Sequence, residues 1–202
     1  MKAALAALAL SAFALAFPTD AKADAIPGQP APTFDVKDAT GKTVKLADLK
    51  GKWVVMEWFN KDCPYVKKHY GSGNMQKLQK TYTDKGVEWL TVISSAKGKQ
   101  GNLSPADAVK LASANNSAAK AILLDDSGTV GKAYGAKTTP HMFVINPEGK
   151  VVYAGGIDDN DSSDPKVIPQ SKNFVVAALD QGMAGKPIEK ASATPYGCSV
   201  KY

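Results

Sequence analysis

Arginine is absent: all 25 basic residues of this 202-residue chain are lysine. That removes the planar, two-pronged donor with which proteins clamp carboxylates, phosphates and other bidentate anions, so any site built around an arginine is excluded. Cysteine is scarce, with Cys63 and Cys198 alone, which allows one intramolecular disulfide and no more. Lysine clustering is also lacking, the longest run being Lys67-Lys68, and without interleaved arginine and aromatics the net charge of +6 does not read as a nucleic-acid patch. No internal repeat is found, and no low-complexity segment or apolar run of membrane-spanning length follows the first two dozen residues.

What is present is a globular composition, 44% hydrophobic and 22% charged, enough for one core. Lys2, the apolar run Ala3 to Phe17 and the small-x-small motif Ala21-Lys22-Ala23 read as a signal peptide over residues 1–23. The expected mature protein begins at Asp24, exported to the periplasm or secreted, with no stable membrane insertion after cleavage. A domain is expected over 24–186 and a tail carrying Cys198 over 187–202.

Periods of two and of 3.6 alternate along the mature chain. Thr33–Val36 and Thr43–Leu46 flank a turn and predict a hairpin, whereas Trp53–Phe59 is an almost unbroken apolar run, the mark of a central strand covered on both faces. Pro64 to about Thr81 predicts a helix interrupted at Gly71–Asn74, followed by a strand over Val87–Ile93. Ser104-Pro105 caps a helix reaching about Ala114. A short strand (Ala121–Leu124), a short helix (Val130–Tyr134), a hairpin (Met142–Ile145 with Val151–Ala154) and a last helix (Asn173–Met183) complete an α/β plan with a mixed sheet.

Chemistry concentrates at Asn60-Lys61-Asp62-Cys63-Pro64-Tyr65-Val66. Cys63 falls where a buried strand ends and a helix begins, and Pro64 suits the first helical turn. Unpaired N–H groups and the helix dipole favour thiolate there, and Lys61, Lys67 and Lys68 add positive charge, so a lowered Cys63 pKa is expected. The other reading of Cys63 is half of a structural disulfide with Cys198.

Met56 to Val66 resembles the thioredoxin active-site stretch, with an acid six residues before the first cysteine, and Thr138-Thr139-Pro140-His141-Met142-Phe143-Val144-Ile145 resembles the thioredoxin cis-proline loop. From about Ala31 to Tyr202 the chain is similar to the peroxiredoxin-like branch of the alkyl hydroperoxide reductase and thiol-specific antioxidant superfamily. Within it the similarity is to exported proteins ending in Gly-Cys-Ser-Val-Lys-aromatic, here Gly197–Tyr202. The resemblance implies a thioredoxin-like fold: a mixed central sheet flanked by helices, with an N-terminal β-hairpin extension and a C-terminal tail.

It further implies a thiol–disulfide oxidoreductase in which Cys63 is the nucleophile, Glu57 the buried acid and Pro140 the cis-proline, with Thr139, Pro64 and Tyr65 meeting the substrate. Its partners would be protein thiols and disulfides or a thioredoxin-like electron donor, and no cofactor is expected. Val66 stands where the second cysteine of the motif would be, which leaves Cys198 as the one candidate for resolving a mixed disulfide. Pairing would close a loop of about 135 residues, worth about 4–5 kcal/mol in the chain-entropy model.

Departures from the family are equally informative. Asn60 and Met56 replace the threonine and proline that peroxiredoxins place before their cysteine, Cys63 lies a helical turn early, and the peroxide-binding arginine is missing, so at most slow thiol peroxidase activity is expected. Cys63, His141 and Met142, with His69, form an alternative Cu(I) set, and Cys-Pro is similar to the opening of copper-delivery proteins, although Lys67 replaces their second cysteine. His141 reads otherwise as a solvated loop residue and Met142 as core. The acidic run Asp158–Asp164 is expected to be a solvated loop, with Ca²⁺ binding as the alternative.

Overall fold

The computed structural model describes residues 24–202, so the signal-peptide expectation over 1–23 lies outside the described residues. Strands β1 (Asp35–Lys37) and β2 (Thr43–Lys45) form the expected antiparallel hairpin. Its turn is held by the Asp38 carboxylate, which accepts from the Thr40 and Lys42 N–H groups.

The central sheet has the order β5-β4-β3-β7-β8. β3 (Val54–Trp58), β4 (Glu88–Ile93) and β5 (Ala121–Leu124) run parallel, and β7 (His141–Ile145) and β8 (Val151–Gly155) continue antiparallel from β3, giving the mixed sheet. The apolar run of β3 is explained by its central position, since all five residues are buried. Val54, Met56 and Trp58 face one layer with Phe143 and Tyr134; Val55 and Phe59 face the other with Met142, Trp89 and Tyr82. Burying each such apolar side chain contributes roughly 1.5–3 kcal/mol.

Helices α1 (Pro64–Gly71) and α2 (Asn74–Thr83) are the two halves of the interrupted pattern. The break falls at Gly73, whose φ of 74° suits glycine, and the Ser72 hydroxyl donates back to the Lys68 carbonyl at 2.8 Å. Helix α3 (Pro105–Ala114) starts at Ser104, which accepts from the Asp107 N–H as its cap. α4 (Thr129–Ala133) lies over the Trp58 face; α1, α2 and α5 (Phe174–Met183) cover the other.

Beyond α5 the chain does not hang free. Ala191 and Ala193 bond to Ala154 on the edge of β8, and β9 (Cys198–Ser199) pairs antiparallel with β6 (Thr138–Thr139). Val200 N–H then donates to the Lys137 carbonyl, the Lys201 carbonyl accepts from Ala96 N–H, and the Tyr202 hydroxyl donates to the Ala136 carbonyl. Gly197 is tightly placed: at φ 131° it lies so close to the Thr139 carbonyl that a Cβ would overlap it. Among the described residues no helix is long and apolar enough to cross a membrane.

Candidate functional site

Cys63 is the residue before α1, in extended conformation, with Pro64 at the first helical position and exposed. The turn that delivers it is built by Asn60, whose side-chain oxygen accepts from Asp62 N–H at 2.9 Å and whose carbonyl accepts from Cys63 N–H at 3.1 Å. Asn60 therefore builds the loop, a role its position three before the cysteine did not announce.

Cys63 is fully buried, and its sulfur lies 3.0 Å from the Thr139 carbonyl oxygen. The Thr139–Pro140 bond is cis, and Thr139 pairs directly with Cys198 across the β6–β9 ladder. Both cysteines are free thiols in this structure, and one peptide unit brings them together. Cys198 is half-buried, so it is the more accessible of the two.

The two sulfurs titrate as a pair. Burial pushes Cys63 up, but hydrogen bonds from the Cys198 thiol, from Thr139 and from the Val66 and Cys198 backbones outweigh it and hold the thiol below its ordinary value. Cys198 is pushed up to about 11 by burial and by its hydrogen bond to, and repulsion from, the Cys63 thiolate, with Lys201 opposing. The expected lowering of Cys63 thus has a different source from the lysines. Lys61 is engaged by Asp62 at 2.8 Å, and Lys68 is buried beside Asp158 at 3.6 Å.

Glu57 is fully buried on β3, one residue before its end. One carboxyl oxygen accepts from Trp89 Nε1 at 2.9 Å and Gln79 Nε2 at 3.2 Å; the other has no partner. Burial raises its pKa to about 7, only partly offset by the Trp89 and Gln79 donors and the neighbouring Tyr70 hydroxyl. Gln79 was legible in principle: it interrupts the apolar stripe Met75, Leu78, Tyr82 of α2.

The proposed copper ligands do not converge. His141 and Met142 are consecutive on β7 and point to opposite faces: Met142 belongs to the Cys63 layer, while His141 stacks on Phe143 at 4.4 Å in the other. His141 is buried in a strand, not solvated in a loop, and burial lowers its pKa to about 3. His69 is turned toward Tyr196 and Asn74.

The acidic run also departs from its solvated reading. Asp158 is buried, with its oxygens taken by the Tyr196 hydroxyl at 2.5 Å, Asn160 N–H at 3.1 Å and Lys68. Asp159, Asp161 and Asp164 remain exposed. Among the described residues no group of three or more His, Cys, Asp or Glu side chains is arranged to hold a metal ion. Tyr65 stands at the rim, its ring 5.8 Å from that of Tyr196. A cleft of about 260 Å³ opens beside Val66, Lys67 and Tyr70.

Comparison with known proteins fits this geometry. The chain belongs to the AhpC/TSA family, whose model matches residues 27–154. It is 32% identical over 126 residues to the thiol-disulfide oxidoreductase ResA of Bacillus subtilis (strain 168), covering 62% of this chain. The chain spans 64% of that relative's length. A crystal structure of an uncharacterised conserved protein from Geobacillus kaustophilus superimposes with a TM-score of 0.74 at 27% identity, covering 88% of this chain and 93% of that one. The thioredoxin domain of a thiol-disulfide oxidoreductase from Bacteroides vulgatus gives 0.51 at 23% identity, covering 71% and 96%, which speaks to the fold alone. The fold is thioredoxin-like.

Proposed function

We propose that this protein is an exported thiol–disulfide oxidoreductase in which Cys63 attacks and Cys198 resolves. The observation that carries the reading is that Thr139 holds both cysteines at once, the Cys63 thiol against its carbonyl and the Cys198 backbone in register across the ladder. Homology to thiol-disulfide oxidoreductases supports the reaction class.

The cycle begins when β9 lifts from β6 and exposes Cys63. Its thiolate attacks one sulfur of a protein disulfide, forming a Cys63–substrate mixed disulfide and releasing the other substrate sulfur as thiolate. At that moment Cys63 no longer carries charge, so the hydrogen bond and repulsion that raised Cys198 vanish, while Lys201 still favours the anion. Cys198 then loses its proton, attacks the Cys63 sulfur and expels the second substrate thiolate. The substrate disulfide is reduced by two electrons and the Cys63–Cys198 disulfide takes its place; a thioredoxin-like dithiol donor restores the reduced pair, and the reverse sequence oxidises a dithiol substrate.

Glu57, with a proton affinity near neutrality, serves as the buried proton acceptor of this layer, and Pro140, Thr139, Pro64 and Tyr65 frame the surface an extended substrate meets. Peptide mapping after oxidation with oxidised glutathione is expected to find a Cys63–Cys198 disulfide. Insulin reduction is expected to disappear in Cys63→Ser, and in Cys198→Ser to stall as a Cys63 mixed disulfide. Two free or separately glutathionylated thiols in the oxidised protein would overturn the cycle.

A further inference from the structure

Lys68 is a buried lysine in the helix that Cys63 begins, and its side chain has no exposure at all. A buried ammonium is tolerated only where its charge is paired and its protons are used. Its Nζ donates to the Asn160 carbonyl at 2.9 Å, lies 3.6 Å from Asp158 Oδ2 and stands 5.3 Å over the Tyr196 ring. Beside it, Asn74 donates to His69 Nδ1 at 2.8 Å, which places the ring proton on Nε2, facing the Tyr196 oxygen at 3.2 Å. The Tyr196 hydroxyl in turn donates to Asp158 Oδ1 at 2.5 Å. Three separate segments meet here: α1, the turn after β8, and the tail. The tail enters through Tyr196 alone, two residues before Cys198.

We propose that Lys68, His69, Asp158 and Tyr196 form a latch that positions Cys198 opposite Cys63, so that this cluster sets the effective concentration of the resolving thiol. The inference rests on the Cys63–Cys198 cycle and adds what holds its second member in place. Backbone bonds fasten the tail at Ala193 and Val200, on either side of this stretch; docking Tyr196 on the helix that carries Cys63 removes the freedom left between them before the sulfurs meet. These four are positioning residues, since none touches the reacting atoms.

The test uses the full chain equilibrated with glutathione buffers, scoring the Cys63–Cys198 disulfide by acid quench and peptide mapping. Tyr196→Phe keeps the ring against Tyr65 and Lys68 but loses the hydroxyl that links His69 to Asp158. It is expected to lower the equilibrium constant for closing the disulfide about tenfold, and Tyr196→Ala about a hundredfold. A kinetic readout runs alongside: after reaction of Cys63 with 5,5′-dithiobis(2-nitrobenzoate), closure by Cys198 releases a second thionitrobenzoate, and that release is expected to slow in the same order. Tyr134→Phe, which loses a hydroxyl bonded to the Pro32 carbonyl in the other layer, is the control and is expected to leave both readouts unchanged. Folded Tyr196→Phe and Tyr196→Ala proteins with wild-type equilibrium and closure rate would overturn the latch. A wild-type protein that forms no Cys63–Cys198 disulfide in any buffer would overturn the cycle itself, a distinct result.

Discussion

Glu57 and Asp158 are both buried carboxylates, and they live in opposite circumstances. Asp158 has a lysine beside it, a tyrosine hydroxyl and a backbone N–H as donors, so its charge is matched and its oxygens are satisfied. Glu57 has no cation; it shares one oxygen between Trp89 and Gln79, and the other oxygen is bare. Burial therefore costs Glu57 its charge near neutrality, whereas Asp158 spends its oxygens on holding a chain segment. One buried acid is a place to keep a proton, the other a place to fasten the tail.

The largest test of that difference is Asp158→Asn. It leaves the Lys68 ammonium buried without a counter-charge, and a loss of about 3–5 kcal/mol is expected in urea unfolding of the reduced protein. Adding Lys68→Met is expected to recover much of it; a single variant as stable as wild type would erase the contrast.

Next comes Glu57→Gln, read as a function of pH. A folded pKa of about 7 against an ordinary 4.5 means that the neutral carboxyl's full stability is present below 4.5. It is lost as pH rises to about 7 and costs about 3 kcal/mol above that. The stability difference between Glu57→Gln and wild type is therefore expected to grow in favour of the variant across that window and to level off beyond it. A difference that stays flat with pH would show Glu57 ionised throughout.

A smaller effect is expected from Gly197→Ala, which asks whether the fastened tail is what shields the Cys63 thiol. The left-handed backbone and the contact with Thr139 are expected to cost about 1–3 kcal/mol of tail docking. Iodoacetamide should then alkylate Cys63 faster than in wild type. The smallest change is expected at the exposed pair Lys80–Asp84, where Asp84→Asn should cost less than about 0.5 kcal/mol, setting the scale against which the buried Lys68–Asp158 pair is judged.

Periodicity reveals most of the frame because each strand and helix carries its own signature: the apolar run of β3, the proline after Cys63, the broken helix at Gly73 and the capped start of α3 are local facts. Cys63 is visible for the same reason, and Glu57 through the resemblance of Met56–Val66 to the thioredoxin stretch. The tail's path is not, since residues 191–202 have no periodicity and take their places from edges supplied by distant strands. Asp158 reads as solvated because six further polar residues follow it, yet it alone turns inward, toward a lysine ninety positions earlier. His141 shows how much one residue of strand boundary decides: starting β7 a residue earlier turns His141 away from Met142 and dissolves the copper set.

The pairing of β9 with β6 also bears on the order in which the chain matures. A cysteine pair two residues apart within one loop can close in an unfolded polypeptide, whereas Cys63 and Cys198 meet only after β6 stands beside the completed sheet and the last residues have wrapped across it. Closing so long a loop carries a large entropic cost until the intervening contacts exist. In the proposed cycle, oxidation of this pair is thus a late event that reports a finished fold, and the thiol chemistry is switched on by assembly itself.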